Sequence, residues 1–205
     1  MYSFRLTFIV PLLRNIFGIL SKISPLEVFY RVTKLFGKRW DELREYKRVE
    51  IYVFIYLGIE LLFFGLFFYP PFSSSRVFIG ATTFVLCWRL LDIFEKWFNN
   101  YILGSGKVLS APRFIILTLI NYLEVTIIFG VIAFVLRDGF GDGLGNPFTS
   151  VLQSLRYSVG IMTTMGSVFE PSKWYGYLIF FGEIALGILF LVAIIHIALS
   201  FFPKR

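Results

Sequence analysis

Pro147-Phe-Thr-Ser-Val-Leu-Gln-Ser-Leu-Arg-Tyr-Ser-Val-Gly-Ile-Met162 runs into Thr163-Thr164-Met165-Gly166-Ser167-Val168, and Trp174 to Phe202 then forms a long apolar run. The first piece is helix-compatible, the second is a turn of small residues, and the third is long enough to cross a bilayer. One carboxylate, Glu183, and one imidazole, His196, interrupt the apolar run. A short helix, a tight turn and a spanning helix in that order predict a re-entrant loop. Non-helical backbone at membrane depth is tolerated only where protein buries it or where it lines a water-filled cavity.

The rest of the chain fits a membrane setting. Of 205 residues, 57% are apolar and 20% aromatic, with mean hydropathy +0.76. Soluble domains average roughly 45–50% apolar. At about 20 apolar residues per crossing, the chain holds about four spans. The single cysteine, Cys87, excludes an intrachain disulfide. The net charge of +7 comes without a nucleic-acid recognition motif, so no nucleic-acid partner is expected. In a membrane protein such residues mark the cytoplasmic side and touch anionic headgroups.

Three regions follow. Residues 1–49 form an interfacial and cytoplasmic region. Residues 1–23 are apolar but interrupted by Arg5, Pro11 and Arg14, and their clean core, Leu6 to Leu13, is too short to span. Ser24-Pro25-Leu26-Glu27 then reads as a helix start with a capping box. Leu26, Phe29, Val32, Phe36, Trp40 and Leu43 recur at helical spacing among basic residues, which predicts an amphipathic helix at the cytoplasmic headgroups or a solvated connector. Residues 50–111 form a two-span hairpin: Ile51 to Phe72 with Glu60 inside, a Pro70-Pro71 turn, then Arg76 to Phe98. Near its end Arg89 can pair with Asp92, and Asp92 with Lys96. Residues 112–205 hold a third span, Pro112 to Leu136, a glycine-rich loop from Arg137 to Asn146 expected to be a flexible turret, and the re-entrant stretch.

The N-terminal 49 residues contain ten Lys/Arg; Lys107, Arg113, Lys204 and Arg205 belong to the same side. Arg76, Arg137, Arg156 and Lys173 lie on the other, diluted by Asp138, Asp142 and Glu170. Both termini are therefore expected in the cytoplasm of a cell (plasma) membrane protein. Enzyme chemistry is not expected: His196 has no acidic or serine partner at helical spacing, Cys/His metal clusters are absent, and no phosphate-binding glycine loop follows a strand. No cofactor is expected.

Over about residues 112–202 the chain resembles the potassium-channel pore family in its bacterial two-helix form. That family runs outer helix, pore helix, Thr-Val/Leu-Gly-Tyr-Gly filter, inner helix. The resemblance rests on Thr163, Thr164, Met165 and Gly166, on Tyr157-Ser158-Val159 before them, and on Glu183-Ile-Ala-Leu-Gly187 after them. Where the family has Tyr-Gly-Asp, this chain has Ser167-Val168-Phe169, and the segment to Pro171 is one residue shorter: the filter is degenerate. The resemblance implies an all-α membrane protein of four transmembrane helices plus a re-entrant pore helix and filter loop, preceded by the amphipathic cytoplasmic helix. It also implies a homotetramer that passes monovalent cations passively, with K+ the permeant ion and Na+ the alternative.

In that reading Thr163 to Ser167 form the selectivity filter. Thr164 Oγ1 and the carbonyls of Thr164 and Met165 hold a transient monovalent cation by replacing its water. Turning successive carbonyls inward needs positive φ, which Gly166 adopts freely and β-branched Val168 resists. The inner half of the filter is therefore expected to survive better than the outer half. Tyr157, Glu170 and Glu183 are read as pore-mouth and supporting residues, and Gly187 as a gating hinge or a close-packing residue.

A carboxylate at the bilayer centre costs about 2.5–3.5 kcal/mol on insertion scales, so Glu60, Glu124 and Glu183 are expected to face protein or water. Asn121 and Glu124 share a face that can bond a neighbouring helix. His196, nine residues past Gly187, falls on nearly the opposite face of the helix. Voltage sensing is not expected, since the second span offers only Arg89. With three residues after Phe202, ligand control is expected only from a separate regulatory subunit. Two rival readings stand beside the channel: a non-conducting scaffold or auxiliary subunit that keeps the pore fold, and a small-solute transporter, which the lack of paired halves disfavours.

Overall fold

The computed structural model describes residues 24–34, 45–101 and 111–200, together with Asn15, Gly18, Ile19 and Lys22. Most of residues 1–23, the apolar positions Phe36, Trp40 and Leu43, the loop around Lys107 and the side chain of His196 lie outside the described residues.

Helix α1 spans Pro25–Lys34. Its start is half of the expected capping box: Ser24 Oγ accepts from the Glu27 N–H at 3.3 Å, while the Glu27 carboxylate turns forward to Arg31 Nε at 3.4 Å. Helix α2 spans Glu45–Leu66, a single turn α3 spans Pro70–Ser73, and α4 spans Arg76–Tyr101. The reversal between α2 and α4 uses the Pro70 ring at the start of α3 and two serines. Ser74 Oγ donates to the Pro70 carbonyl at 2.6 Å, and Ser75 Oγ accepts from the Phe78 N–H at 3.4 Å to cap α4. Helix α5 spans Ala111–Val135, α6 Val151–Met162 and α7 Trp174–Ser200. Four helical stretches are long and apolar enough to cross a membrane: Val49–Leu66, Arg76–Trp97, Ile115–Val135 and Trp174–Ile195. The chain is an integral membrane protein by that measure. Helix α6, 12 residues long, is about 18 Å at 1.5 Å per residue, well short of a hydrocarbon core of about 30 Å.

The chain divides into two compact units, and the division falls inside the hairpin helices rather than at their ends. The first unit comprises Met1–Tyr52 and Trp88–Val108. Its described core is polar. Arg89 Nη1 donates to Asp92 Oδ2 at 2.8 Å and Tyr52 OH donates to the same oxygen at 2.6 Å. The Arg89 guanidinium also lies 4.9 Å from the centre of the Tyr52 ring, and Phe29 packs on that ring. Arg89 is thus neutralised and buried. Lys96 does not pair with Asp92 as its spacing allowed; it pairs with Glu95 at 2.9 Å, while Arg89 and Tyr52 share Oδ2 of Asp92.

The second unit comprises Val53–Cys87 and Leu109–Arg205. Its core is the second half of α5, where Val125, Ile128, Val131 and Ala133 are almost wholly buried against α6 and α7. A β-carbon on Gly130 would lie 3.1 Å from Leu155 Cα, so α5 and α6 touch backbone to backbone. Phe67, the residue after α2, reaches α5 by an edge-on contact with Phe134, 5.8 Å between ring centres.

The loop expected to be a flexible turret is folded. A 3-10 turn, Arg137–Gly139, leads into strand β1, Phe140–Gly141, which pairs antiparallel with β2, Glu170–Pro171. The fold is therefore helical with one short two-stranded strap rather than purely α. Asp142 closes the turn beyond β1, its Oδ1 accepting from the N–H groups of Leu144 and Asn146 at 2.9 Å each. Below the strap, Phe140, Phe148 and Tyr157 form a buried aromatic cluster with centres 5.1–5.6 Å apart. Phe169 joins it through Phe148 at 4.4 Å. The cluster ties the loop before α6, α6 itself and the chain after the Thr/Gly turn to one another.

Candidate functional site

A helix end leaves its last four carbonyls without intrahelical partners. At the end of α6 all four are taken. Val159 O accepts from the Thr163 N–H at 3.0 Å and from Thr163 Oγ1 at 2.6 Å. Gly160 O accepts from the Gly166 N–H at 3.1 Å, and Ile161 O from the Thr164 N–H at 3.1 Å. Met162 O accepts from the Tyr122 hydroxyl of α5 at 2.7 Å. The first carbonyls left over are those of Thr163, Thr164 and Met165; none accepts a hydrogen bond from a described residue.

The backbone of this turn alternates in hand. Thr163 has φ −88°, Thr164 +61°, and Gly166 +80°, whereas Met165, Ser167 and Val168 stay negative. Alternating hands gather successive N–H groups on one side of the chain and so turn successive carbonyls to the other. Gly166 has the positive φ expected of it, but so does Thr164, a β-branched residue for which this region is strained by about 1–3 kcal/mol. The hydrogen bonds from the Thr164 and Gly166 N–H groups back to α6 hold that strained form. Val168 does not continue the alternation.

Residues Thr163 to Gly166 are exposed, Met165 to 85% and Val168 to 77%. Ser167 turns its Oγ back to accept from the Phe169 N–H at 3.1 Å. A β-carbon on Gly160 would collide with the carbonyl oxygen of Gly166, so the turn folds back onto a helix that has room for it.

The remaining sequence-selected residues lie around this turn in different ways. Tyr157 is buried in the aromatic cluster, and its hydroxyl finds no partner among the described residues. Glu170 is exposed on β2, opposite Gly141. Glu183 is wholly buried and meets Ser158 of α6. Gly187 faces α6: a β-carbon there would lie 3.4 Å from both the carbonyl oxygen and the sulfur of Met162. Glu60 and Glu124 are also buried. Among the described residues no group of three or more His, Cys, Asp or Glu is placed to hold a metal ion. Tyr122 and Gly160 carry no reading in the sequence. A tyrosine within an apolar span is the signal by which the first could have been found, since its hydroxyl needs a partner when buried.

No protein-family model, curated protein or solved structure matches the chain.

Proposed function

We propose that the chain is one subunit of a homotetrameric, potassium-channel-like cation channel in the plasma membrane, with both termini cytoplasmic. Monovalent cations, K+ foremost with Na+ the alternative, pass down their gradient. The observation that carries this reading is the row of uncommitted carbonyls at Thr163, Thr164 and Met165, on backbone of alternating hand, at the end of a helix too short to span. Carbonyls so placed substitute for the water of a dehydrated cation. The carboxy-terminal end of α6 adds a partial negative charge that favours a cation beyond it. One chain supplies one such row, and a closed ring takes four related by a fourfold axis.

The apolar residues left uncovered support assembly. Leu152 and Val159 on α6, and Phe181, Ile188, Leu191 and Ile195 on α7, are exposed; neighbouring copies and lipid cover them. The basic amphipathic N-terminal region sits against anionic headgroups.

The scaffold reading is favoured by one observation: the alternation stops at Gly166, and Val168 places an exposed apolar side chain beyond it. Flux of K+ and Na+ into liposomes holding purified protein separates the two. Passive flux of either ion supports the channel, its absence supports the scaffold, and saturable coupled uptake supports a transporter.

A further inference from the structure

Thr126, Ser158 and Glu183 come from α5, α6 and α7 and meet at one buried point. Ser158 Oγ lies 2.8 Å from the Thr126 carbonyl oxygen and in hydrogen-bond contact with Glu183 Oε1. A serine hydroxyl has one proton to give, a peptide carbonyl only accepts, and an ionised carboxylate only accepts. Were Glu183 ionised, one proton would have to serve two acceptors at once. Both contacts are full two-centre hydrogen bonds, rather than one shared three-centre bond, when the carboxyl group brings a second proton: Glu183 then donates to Ser158, and Ser158 donates to Thr126.

The surroundings agree with this count. Glu183 is 0% exposed, and no lysine or arginine among the described residues forms an ion pair with it. The hydroxyl of Tyr122 is given to Met162, and that of Tyr157 is given to no described residue. Glu183 Oε2 likewise has no donor among the described residues. A carboxylate needs several donors or a counter-ion to stay charged when buried, and a neutral acid needs neither.

We propose that Glu183 is held as the neutral carboxylic acid and is the positioning residue of the carbonyl row. Through Ser158 it pins α6 between α5 and α7, two residues before Gly160 and four before Met162. Those are the residues on which the Thr163–Gly166 turn is seated. The effect on conduction rests on the channel reading; the protonation state does not.

Infrared spectroscopy of the full-length protein in lipid tests the proton directly. The wild-type spectrum should carry a protonated-carboxyl band that Glu183→Gln lacks. Glutamine keeps a donor for Ser158, so Glu183→Gln should keep the melting temperature and K+ flux that Glu183→Ala loses, the loss in flux being at least about tenfold. Identical infrared spectra for wild type and Glu183→Gln, or a glutamine variant as damaged as the alanine one, overturn the proposal. If no form conducts, the channel reading fails, and the infrared comparison still decides whether Glu183 holds its proton.

Discussion

The Gly166 N–H donates to the Gly160 carbonyl at 3.1 Å, and a β-carbon added to Gly160 would collide with the Gly166 oxygen. These two glycines set how closely the Thr/Gly turn folds back on the helix that precedes it. One supplies space and an acceptor; the other supplies a positive φ and a donor. The obstacle at Gly160 is backbone, which cannot rotate away as a long side chain does.

Gly160→Ala should therefore displace the turn rather than merely fill a gap. Overpacking of this kind costs about 1–3 kcal/mol. The expected outcome is a lower melting temperature in detergent together with lost cation flux. A variant with wild-type melting and flux would show that the turn does not depend on this contact.

Tyr122→Phe removes the donor to the Met162 carbonyl and little else. Leaving a buried acceptor unpaired costs about 1–3 kcal/mol. Thermal unfolding in detergent should shift down by a corresponding amount, with secondary structure unchanged by circular dichroism. No shift would mean that water or another group takes the place of the tyrosine hydroxyl.

Val168→Gly tests where the alternation stops. Valine resists positive φ, and glycine adopts it freely. The substitution should let the alternating backbone run two residues further and raise the preference for K+ over Na+ in liposome flux. An unchanged ion ratio contradicts the backbone account of the proposed filter.

The loop after β1 carries a pH signature. Hydrogen bonds from Asn146, backbone first and then side chain, together with the Leu144 N–H, hold the Asp142 carboxyl below the usual aspartate range. With the folded value depressed, the contribution to loop order is present above the unfolded value, about 3.9. It is lost as pH falls through the lower folded value. Amide NMR signals of Leu144 and Asn146 should therefore titrate with a midpoint below about 3.9. A midpoint at or above that value would show the carboxyl to be free.

Much of this architecture was legible in apolar run lengths. Four long runs and one short helix before a Thr/Gly turn gave the element order, because spanning length and helix-breaking residues are local properties. Arg89–Asp92 was legible for the same reason, being three apart on one helix. What spacing could not give was competition between elements. Tyr52, 40 residues from Asp92, joins Arg89 on one oxygen of that carboxylate, and Lys96 turns to Glu95 instead. The strap hid for a similar reason: Gly139 to Gly145 reads as slack, and pairing with Glu170–Pro171 together with the Asp142 turn gives it form. Within the site, Gly166 announced its positive φ by being glycine. Thr164 did not, since its strained backbone is held by hydrogen bonds to Ile161 and by its neighbours rather than by its own preference. Gly187 read equally as hinge or packing residue, and its place against Met162 depends on a neighbouring helix that spacing does not locate.

The most direct test is an experimental structure of the assembled protein in lipid with K+ present. Four copies about one axis should bring their Thr164 residues around a central void, with ion density within coordination distance of the Thr164 and Met165 carbonyls. A Thr163–Gly166 turn packed into neighbouring side chains, with no axial opening, would contradict conduction through this protein.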